Sequence, residues 1–508
     1  MKLQFVSLLS LSALASARFL ANTESPDGTL QIGFNAKRGF APRGHDERLR
    51  KRDGTLEVPL DNIYTYYNVE LELGTPPQKF DLIIDTGSSD LWVISETNPY
   101  CATSAAQLSS GYINCSRSGT FAAGDSSTYQ FNNSNFYIRY GDGTVAEGDW
   151  GMDTLTFNGQ EIPNMSFGLG NTTNSSLGVF GIGYTNNEAT MALSEPYTYA
   201  NFPVRLAQAG IINTPAYSLW LNDINANEGN ILFGGVDHAK YSGDLISVPV
   251  LKASASATKP TSFTIAFNSL KYTSDGSSQE LLSNTIEALL DSGTTLSYFP
   301  KNVAADLLAA FNSSYSSQLG YYLQSCNLEG SLDYSFNGAN ISVPFESLLL
   351  PVTSRGRQAY FSNGDPVCAI GIVPGSYSFA LLGDTFLRSA YVVYDLQNDQ
   401  IALAQANTNT TDSNIEAIVS TIPSATRASL YSATTGITLQ SVTRGVRTMF
   451  STASDGAVQT FTISGATASK TGSSKSSNAS TILIKSSSPV SALLLVVVFL
   501  ASFCLVLV

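Results

Sequence analysis

The chain has 508 residues, of which 43% are apolar and 13% charged, so it is not wholly disordered and should hold two or three compact units. Its 27 Lys and Arg against 40 Asp and Glu give a net charge of −13, the wrong sign for binding nucleic acid through phosphate contacts. The two histidines and five cysteines lack metal-ligand spacing and no G-x-S-x-G motif is present, so we expect neither a metal site nor serine hydrolysis.

The N-terminus has the pattern of a secretory signal peptide. Lys2 precedes an apolar stretch from Leu3 to about Leu14, and Ala15-Ser16-Ala17 offers the small residues that signal peptidase accepts. We therefore expect residues 1–17 to be removed as the chain enters the secretory pathway.

Residues 18–52 are basic and end in Arg48-Leu49-Arg50-Lys51-Arg52, which predicts a processing site after the last arginine. This segment carries 8 basic and 4 acidic residues, whereas residues 53–406 carry 12 basic and 33 acidic ones. A cationic segment can bind such an anionic body at neutral pH and loosen as carboxylates become protonated. We interpret residues 18–52 as an inhibitory propeptide.

The segment from Leu56 to about Ala406 is predicted to be mostly β. Short apolar runs alternate with polar residues, as in residues 67–73, and are separated by Gly and Asn turns. Helical periodicity is scarce, and the best short helix candidate runs from Lys301 to Phe311 after Pro300.

The composition changes after Ala406. Residues 407–489 contain 34 Ser or Thr among 83 residues and few large apolar side chains. Such a sequence buries little surface, so residues 407–478 are predicted to form an extended, O-glycosylated stalk.

The C-terminus has the layout of a glycolipid (GPI) attachment signal. Small residues around Asn478 are followed by a spacer and then by 17 uncharged residues, 492–508. We expect attachment at Asn478, with Ser477 or Gly472 as alternatives, and removal of residues 479–508. The rival interpretation is a retained membrane helix, although ~25 Å is short against a bilayer core of about 30 Å.

Removal of the tail takes away Cys504 and leaves four cysteines, which predicts two disulfides in a secreted chain. Three pairings are possible, and we favour Cys101–Cys115 and Cys326–Cys368 because each closes a local loop within one half of the chain. Sequons for N-glycosylation occur at Asn114, Asn132, Asn164, Asn171, Asn174, Asn312, Asn340 and Asn409.

A duplicated motif is the strongest signal. The segment Phe80-Asp81-Leu82-Ile83-Ile84-Asp85-Thr86-Gly87-Ser88-Ser89 is echoed by Ile286-Glu287-Ala288-Leu289-Leu290-Asp291-Ser292-Gly293-Thr294-Thr295. A chance match to D-[ST]-G-[ST]-[ST] is expected well under ~0.01 times in a chain of this length. Each copy predicts an apolar strand that delivers one aspartate into a turn of Gly and hydroxyl residues.

A second echo follows each aspartate, because Val179-Phe180-Gly181 and Leu381-Leu382-Gly383 are both apolar-apolar-Gly segments. Two homologous β lobes, 53–230 and 231–406, account for all four segments. We expect a bilobal, mostly β fold in which each lobe brings one aspartate to a shared cleft.

Over residues 56–406 the chain resembles the pepsin-like aspartic proteases. With its secretory signal, dibasic junction, Ser/Thr stalk and GPI-type tail it is similar to the yapsins, the surface-anchored members of that family in fungi. The resemblance implies a monomeric endopeptidase that acts on proteins or peptides without a cofactor, with Asp85 and Asp291 as the catalytic pair. It implies that Ser88 and Thr294 support these carboxyls through hydrogen bonds.

Peptide hydrolysis by this family needs one carboxyl as a base and one as an acid. Two adjacent carboxyls provide both, because they do not both ionise easily and the pair retains one proton over a wide pH range. Aspartic proteases are the standard example of this effect. The ionised member takes a proton from a bound water while the protonated member donates to the scissile carbonyl.

The family also covers its substrate with a β-hairpin flap, and Tyr140-Gly141-Asp142-Gly143-Thr144 matches the tip of that hairpin. The resemblance implies that Tyr140 packs on the substrate and hydrogen-bonds toward Trp92. In relatives an acid at the position of Asp142 admits Lys or Arg before the cut. The alternative is that Asp142 only stabilises a Gly-flanked turn.

Three rival functions are weighed against proteolysis. The first is a protease-like binding module without catalysis, which is disfavoured because both aspartates and their supporting residues are present. The second is a wall mannoprotein or adhesin, whose stalk would be longer and repetitive. The third is a glycosidase, whose two carboxylates stand at least ~5 Å apart and are not carried by twin hydroxyl-rich turns.

Overall fold

The computed structural model describes residues 26–38, 60–61, 65–429 and 431, with short internal gaps at 109, 158, 227, 254–255 and 355–356. The predicted signal peptide, the Lys51-Arg52 junction, Asn478 and the apolar tail lie outside these residues. Within the described part of the chain, no helix is long and apolar enough to cross a membrane.

Strands dominate the described residues. They are, in chain order, β1 (Leu30–Arg38), β2 (Leu60–Asp61), β3 (Thr65–Leu73), β4 (Gln78–Asp85), β5 (Leu91–Ile94), β6 (Gln130–Arg139), β7 (Val145–Phe157), β8 (Gln160–Thr173), β9 (Gly178–Gly181), β10 (Ala216–Trp220), β11 (Glu228–Phe233), β12 (Gly235–Asp237), β13 (Tyr241–Pro249), β14 (Thr264–Phe267), β15 (Ser269–Ser274), β16 (Ser277–Leu282), β17 (Ile286–Leu290), β18 (Ser297–Pro300), β19 (Ser314–Ser316), β20 (Tyr321–Ser325), β21 (Ser331–Phe336), β22 (Ala339–Pro344), β23 (Leu349–Pro351), β24 (Thr353–Ser354), β25 (Arg357–Gln358), β26 (Val367–Ile370), β27 (Ile372–Gly375), β28 (Ala380–Leu382), β29 (Ala390–Asp395), β30 (Gln400–Ala406), β31 (Ile415–Ala417) and β32 (Ala425–Arg427).

The helices are short. The α-helices are α1 (Ala105–Leu108), α2 (Phe202–Gln208), α3 (Lys301–Ala310), α4 (Phe345–Leu348) and α5 (Asp384–Leu387), and 3-10 turns occur at Cys115–Arg117, Ala123–Asp125, Thr185–Asn187 and Ala189–Ala192. The helix predicted after Pro300 is confirmed as α3. It buries one face through Val303, Ala304, Leu307 and Leu308, the spacing that places residues on the same side of a helix.

The two halves of the chain repeat one strand arrangement. In the first half β4 pairs in parallel with β9, which pairs antiparallel with β5, and β5 is parallel to β8. In the second half β17 pairs in parallel with β28, which pairs antiparallel with β18, and β18 is parallel to β27. In each half the apolar-apolar-Gly segment forms the middle strand of this arrangement, with Gly181 as the last residue of β9 and Gly383 directly after β28. The predicted bilobal, mostly β fold is confirmed.

One sheet of fourteen strands connects the halves, in the order β32-β13-β30-β29-β10-β11-β1-β3-β4-β9-β5-β8-β7-β6. The lobe boundary that we expected at 230/231 falls inside β11. Because β11 belongs to the sheet that both halves share, no single residue in it separates the two lobes. Strand β1, from the predicted propeptide, lies between β11 and β3 in this sheet.

The burial of the side chains in each strand follows from the position of that strand in its sheet. The side chains of β22 alternate between buried and exposed, the pattern of a strand with one face on the core and one in solvent. Every residue of β29 is buried, because this strand lies inside the large sheet and is covered on both faces.

Two disulfides are present, Cys101–Cys115 and Cys326–Cys368, with Cα–Cα distances of 5.4 and 5.0 Å. They are the two pairs that the sequence favoured. The first closes the loop that contains α1, and the second links β26 to the end of β20.

The stalk boundary predicted after Ala406 has to be corrected. Strand β31 pairs with β12, and β32 pairs in parallel with β13. The side chains of Ile418 and Ile422 are buried against the large sheet. Asn414 N–H and the Ser413 hydroxyl donate to the carboxylate of Asp237 at 2.7 and 3.0 Å. The body therefore extends at least to residue 429, because a few isoleucines in a Ser/Thr-rich segment suffice to fix it.

The buried contacts made after Ala406 predict that a chain truncated at that residue is less stable. A chain that stops after Ala406 loses the burial of Ile418 and Ile422, so its free energy of unfolding should fall by roughly 3–6 kcal/mol. The control stops after Tyr431 and keeps all of these contacts. Urea unfolding of both proteins measures the difference. Equal midpoints would mean that residues 407–431 contribute nothing to the body.

Candidate active site

The two aspartates of the repeated motif lie at equivalent ends of equivalent strands. Asp85 is the last residue of β4, and Asp291 directly follows β17. Both side chains are almost entirely buried, with 4% and 8% of their surface exposed. The apolar strands that precede them are packed in the core, which fixes the points from which the two loops start.

Each carboxylate is held by its own loop in the same way. Asp85 accepts hydrogen bonds from Gly87 N–H at 2.9 Å and from the Ser88 hydroxyl at 2.6 Å. Asp291 accepts from Gly293 N–H at 2.9 Å and from the Thr294 hydroxyl at 2.6 Å. The hydroxyl residues of the motif are therefore placed where the sequence predicted them.

The two loops also hold each other through Thr86 and Ser292. Thr86 N–H donates to the Ser292 hydroxyl at 3.2 Å, and Ser292 N–H donates to the Thr86 hydroxyl at 3.0 Å. The two hydroxyls donate onward, to the carbonyls of Leu290 at 3.0 Å and Ile84 at 2.9 Å. These four bonds fix the distance between the halves at the site, a role that our sequence analysis missed although both residues belong to the repeated motif.

The carboxylates are brought so close that only glycine fits beside them. A β-carbon on Gly87 would lie 2.5 Å from Asp291 Oδ1, and one on Gly293 would clash with Asp85 Oδ1. Each loop thus passes directly over the aspartate of the other loop.

The environment of Asp291 favours its protonated form. Burial raises the pKa of Asp291 most, and the negative charge of Asp85 and a hydrogen bond between the two carboxyls raise it further. The hydrogen bonds from Thr294 and Gly293 lower it, but they do not reverse the direction. A pair of this kind holds one proton that belongs to both groups.

The predicted flap tip connects β6 to β7. Tyr140 N–H donates to the carbonyl of Thr144 at 2.8 Å, and Gly143, at φ +88°, takes a conformation that glycine allows. Trp92 Nε1–H donates to the Tyr140 hydroxyl at 2.8 Å, so the structure brings together the two aromatic residues that we expected to meet.

Asp142 has contacts that fit both of its proposed roles. Its carboxylate accepts from Thr144 N–H at 2.9 Å and from the Thr144 hydroxyl at 3.1 Å, which stabilises the turn. It is also solvent-exposed at the hairpin tip, and its negative charge, with that of Asp291, helps to raise the pKa of Tyr298 to about 12, after burial and Tyr377.

Tyr298 was missed in the sequence, although a signal for it exists. Trp92 follows Asp85 by seven residues and Tyr298 follows Asp291 by seven. They occupy the equivalent strands β5 and β18 of the two halves. The internal repeat therefore extends to an aromatic residue on each side of the site.

Comparison with known proteins agrees with the geometry. A profile described as "Eukaryotic aspartyl protease" matches residues 66–406. The chain belongs to this family. Its members are pepsin-like aspartic proteases, and the chain is an aspartic-type endopeptidase, as the sequence predicted.

Yeast and mould proteases are among its relatives. Aspartic proteinase 3 of Saccharomyces cerevisiae is 35% identical, with 88% of this chain and 91% of the relative covered. Aspartic proteinase yapsin-3 of the same yeast is 39% identical, with coverage of 85% and 84%. The probable aspartic-type endopeptidase opsB of Aspergillus fumigatus is 39% identical, with coverage of 78% and 81%.

A solved structure matches the fold. The crystal structure of the aspartic proteinase from Irpex lacteus aligns with a TM-score of 0.54 and 21% identity, and the alignment covers 69% of this chain and 96% of the Irpex protein. At this identity the match supports the fold alone.

The close approach of the two loops predicts the effect of Gly87→Ala. The added methyl group forces Asp291 away from Asp85, and a displacement of about 1 Å lowers kcat roughly 100-fold. The matched control is Gly124→Ala, where nothing lies within 4 Å of the added carbon and activity should not change. Peptide hydrolysis by both variants, with circular dichroism to confirm folding, makes the comparison. Activity of Gly87→Ala near that of the wild-type protease would contradict this account of the site.

Proposed function

We propose that this protease hydrolyses peptide bonds at acidic pH through Asp85, Asp291 and a water molecule bound between them. The observation that supports this most is the close approach of the two loops, one from each half, around two buried carboxyls. A β-carbon on Gly87 would lie 2.5 Å from Asp291 Oδ1. The ionised carboxylate removes a proton from the water, whose oxygen forms the new bond to the scissile carbon. The other carboxyl gives its proton to the carbonyl oxygen.

The second half of the reaction returns the protons. The C–N bond of the tetrahedral intermediate breaks as the nitrogen takes a proton from one carboxyl, and the gem-diol gives up a proton to the other. The products are a carboxylic acid and an amine, and the pair is again singly protonated. Ser88 and Thr294 keep the outer carboxylate oxygens in place throughout.

The flap supplies the cover for this reaction. Tyr140 packs over the substrate, with its hydroxyl held by Trp92. Because Gly141 and Gly143 flank Asp142 at the tip, the hairpin can approach the substrate backbone closely. Exclusion of water strengthens the hydrogen bond from the protonated carboxyl to the scissile carbonyl oxygen.

The pair predicts a bell-shaped pH profile for proteolysis. At low pH both carboxyls are protonated and no base remains, and at high pH both are ionised and no acid remains. Since the pKa of Asp291 is raised, activity should extend above the usual range of a carboxyl near 4 before it declines.

Asp85→Asn and Asp291→Asn should each lower kcat by at least about 10⁴-fold, since either change removes the acid–base pair. Peptide digestion between pH 3 and pH 8, with and without a pepstatin-type transition-state analogue, measures this. A variant that keeps appreciable, inhibitor-sensitive turnover would disprove the proposed mechanism.

We further propose that Asp142 favours Lys or Arg before the cut. Its support is an exposed negative charge at the flap tip that acts on Tyr298 of the second half, a residue that the charge of Asp291 also reaches. A cationic side chain bound there would be partly shielded from water, where an ion pair gains strength.

Asp142→Thr should reduce cleavage after Lys and Arg roughly tenfold, because the counter-charge is lost while a hydroxyl remains for the turn. Cleavage after Leu or Phe in matched peptides serves as the internal control and should stay within a factor of two. If all peptides lose activity equally, Asp142 acts through the turn and not through specificity.

The remaining proposals concern the ends of the chain. We propose a signal peptide 1–17, a propeptide 18–52, N-glycans at exposed sequons and a GPI anchor on Asn478 that places the protease at the plasma membrane or cell wall. The support is the sequence pattern at each end. Because one chain supplies both aspartates, we propose that the protease acts as a monomer.

Mass spectrometry of the protein released from cells by a phosphatidylinositol-specific phospholipase tests these ends. The first residue of the mature protease should be Asp53, and the last should be Asn478 bearing a glycolipid remnant. If the phospholipase releases no protein, and detergent extracts a chain whose C-terminal peptide includes residues 492–508, the anchor is replaced by a retained membrane helix. A mature chain that begins upstream of Asp53 would exclude the predicted processing site.

A further inference from the structure

The flap is packed by a small cluster of its own, separate from the main core. We call it the flap cluster, and its buried members are Trp92, Ile94, Cys115, Phe136, Ile138, Tyr140, Ala146, Trp150, Val179 and Ala189. Residues of both flap strands, β6 and β7, contribute to it. The position of the flap over the site therefore depends on how this cluster is attached to the rest of the protein.

A chain of aromatic contacts runs through the flap cluster. From Tyr140 it passes to Trp92 by a hydrogen bond of 2.8 Å and then to Phe136, with ring centroids 6.4 Å apart. Phe136 meets Trp150 edge-on at 5.0 Å, and Trp150 meets Tyr199 edge-on at 5.4 Å. Tyr199 is thus the last ring in this series of contacts, which starts at the flap tip.

The other side of Tyr199 faces two buried acids. Its hydroxyl donates to Asp90 Oδ1 at 2.6 Å, and its backbone N–H donates to Glu188 Oε2 at 2.8 Å. Asp90 and Glu188 have no exposed surface. Ala189 N–H donates to the second oxygen of Asp90 at 2.9 Å, so the Tyr199 hydroxyl completes the hydrogen bonding of that carboxylate.

Asp90 ends the loop that carries the first catalytic aspartate, since it lies five residues after Asp85 and directly before β5. The same loop is bound by Asn201, two residues after Tyr199, whose side-chain amide donates to the carbonyl of Ser89 at 3.4 Å. It is also bound by residues 183–184. Gly183 N–H donates to the carbonyl of Ser88 at 2.8 Å, and the Ser89 hydroxyl donates to the carbonyl of Tyr184 at 2.6 Å. Tyr199 therefore contacts the flap cluster with its ring and the catalytic loop with its hydroxyl.

The electrostatics agree with a tight and specific contact. Burial raises the pKa of Asp90 to about 6, and the hydrogen bonds from Tyr199 and Ala189 oppose that rise. Without the Tyr199 hydroxyl, one oxygen of Asp90 would be buried with no donor in this cluster, an arrangement that proteins avoid. The loop or the acid would then have to move.

We propose that Tyr199 is a positioning residue for proteolysis, whose hydroxyl fixes the flap cluster relative to the loop that carries Asp85. The inference rests on the function proposed above and adds a residue to that site. Tyr199 acts through the flap and the loop, and it touches neither the substrate nor the water.

The test is Tyr199→Phe, which keeps the ring against Trp150 and removes only the hydroxyl. We expect kcat to fall about tenfold or more with a smaller change in KM, because a residue that positions the flap and the catalytic loop stabilises the transition state more than the bound substrate. Two of the three tryptophans, Trp92 and Trp150, lie in the flap cluster, so intrinsic fluorescence reports its arrangement. The fluorescence change on binding a pepstatin-type analogue should shrink in the variant.

The matched control is Tyr391→Phe. Tyr391 is buried in the large sheet and belongs to a different cluster from Tyr199, which is partly buried. Like that of Tyr199, its hydroxyl makes a hydrogen bond within the protein, here accepting from Asp237 N–H at 2.7 Å. Both variants should lose similar stability in urea, but only Tyr199→Phe should lose kcat and fluorescence response. If Tyr199→Phe matches Tyr391→Phe in kcat, KM and fluorescence, Tyr199 is merely structural and the proposal is wrong.

A second variant keeps the test valid if Tyr199→Phe is too unstable. In Tyr199→Phe/Asp90→Asn the amide oxygen can still accept from Ala189 N–H, and no unpaired carboxylate is left. We expect folding to recover and kcat to stay low, whereas wild-type kcat in the double variant would overturn the proposal. Asp85→Asn in the same assay separates the two levels. If it retains turnover the proposed function fails, and if it is inactive while Tyr199→Phe is normal only this inference fails.

Discussion

The contact between two buried carboxyls is the constraint on which the rest of the structure depends. Asp85 and Asp291 would repel each other if both were ionised, and their shared proton removes most of that cost. The proton alone does not hold them together. Apolar strands on each side and the crossed hydrogen bonds of Thr86 and Ser292 set the distance, so the fold maintains an arrangement that the charges would oppose.

Buried acids outside the active site also have raised pKa values and so tend to remain protonated. Burial raises the pKa of Asp90 to about 6 and that of Glu188 to about 10, and it raises the pKa of Asp384 well above the ordinary range. The folded protein thus keeps protons that the unfolded chain releases above pH 4, and its free energy of unfolding falls as the pH rises through these values. The proposed acidic optimum of proteolysis depends on a protonated buried acid in the same way.

Much of the fold and site could be predicted because it is duplicated. Two copies of one motif predicted Asp85, Asp291 and the hydroxyls beside them, and the apolar-glycine segments added evidence for two homologous β lobes. What depends on single contacts could not be predicted. The attachment of residues 407–429 rests on isolated isoleucines such as Ile418 within a polar composition, and a compositional average over the whole segment hides them.

Buried polar contacts were missed for a related reason. Tyr199 reaches Asp90 across 109 residues, and nothing local in either segment indicates that they meet. The internal repeat does not indicate this contact either, because the position equivalent to Asp90 in the second half is Leu296.

The two halves also differ in the residues that surround their repeated loops. The catalytic loops are nearly identical, but only the first half carries the flap described here, and its strand β5 presents Trp92 to the flap tyrosine. The equivalent Tyr298 instead lies in the electrostatic field of Asp142 and Asp291. The loops that carry the two aspartates therefore repeat, whereas the aromatic residues beside them have different partners. On the proposal made for Asp142, these flanking residues, and not the repeated loops, select the residue that precedes the cut.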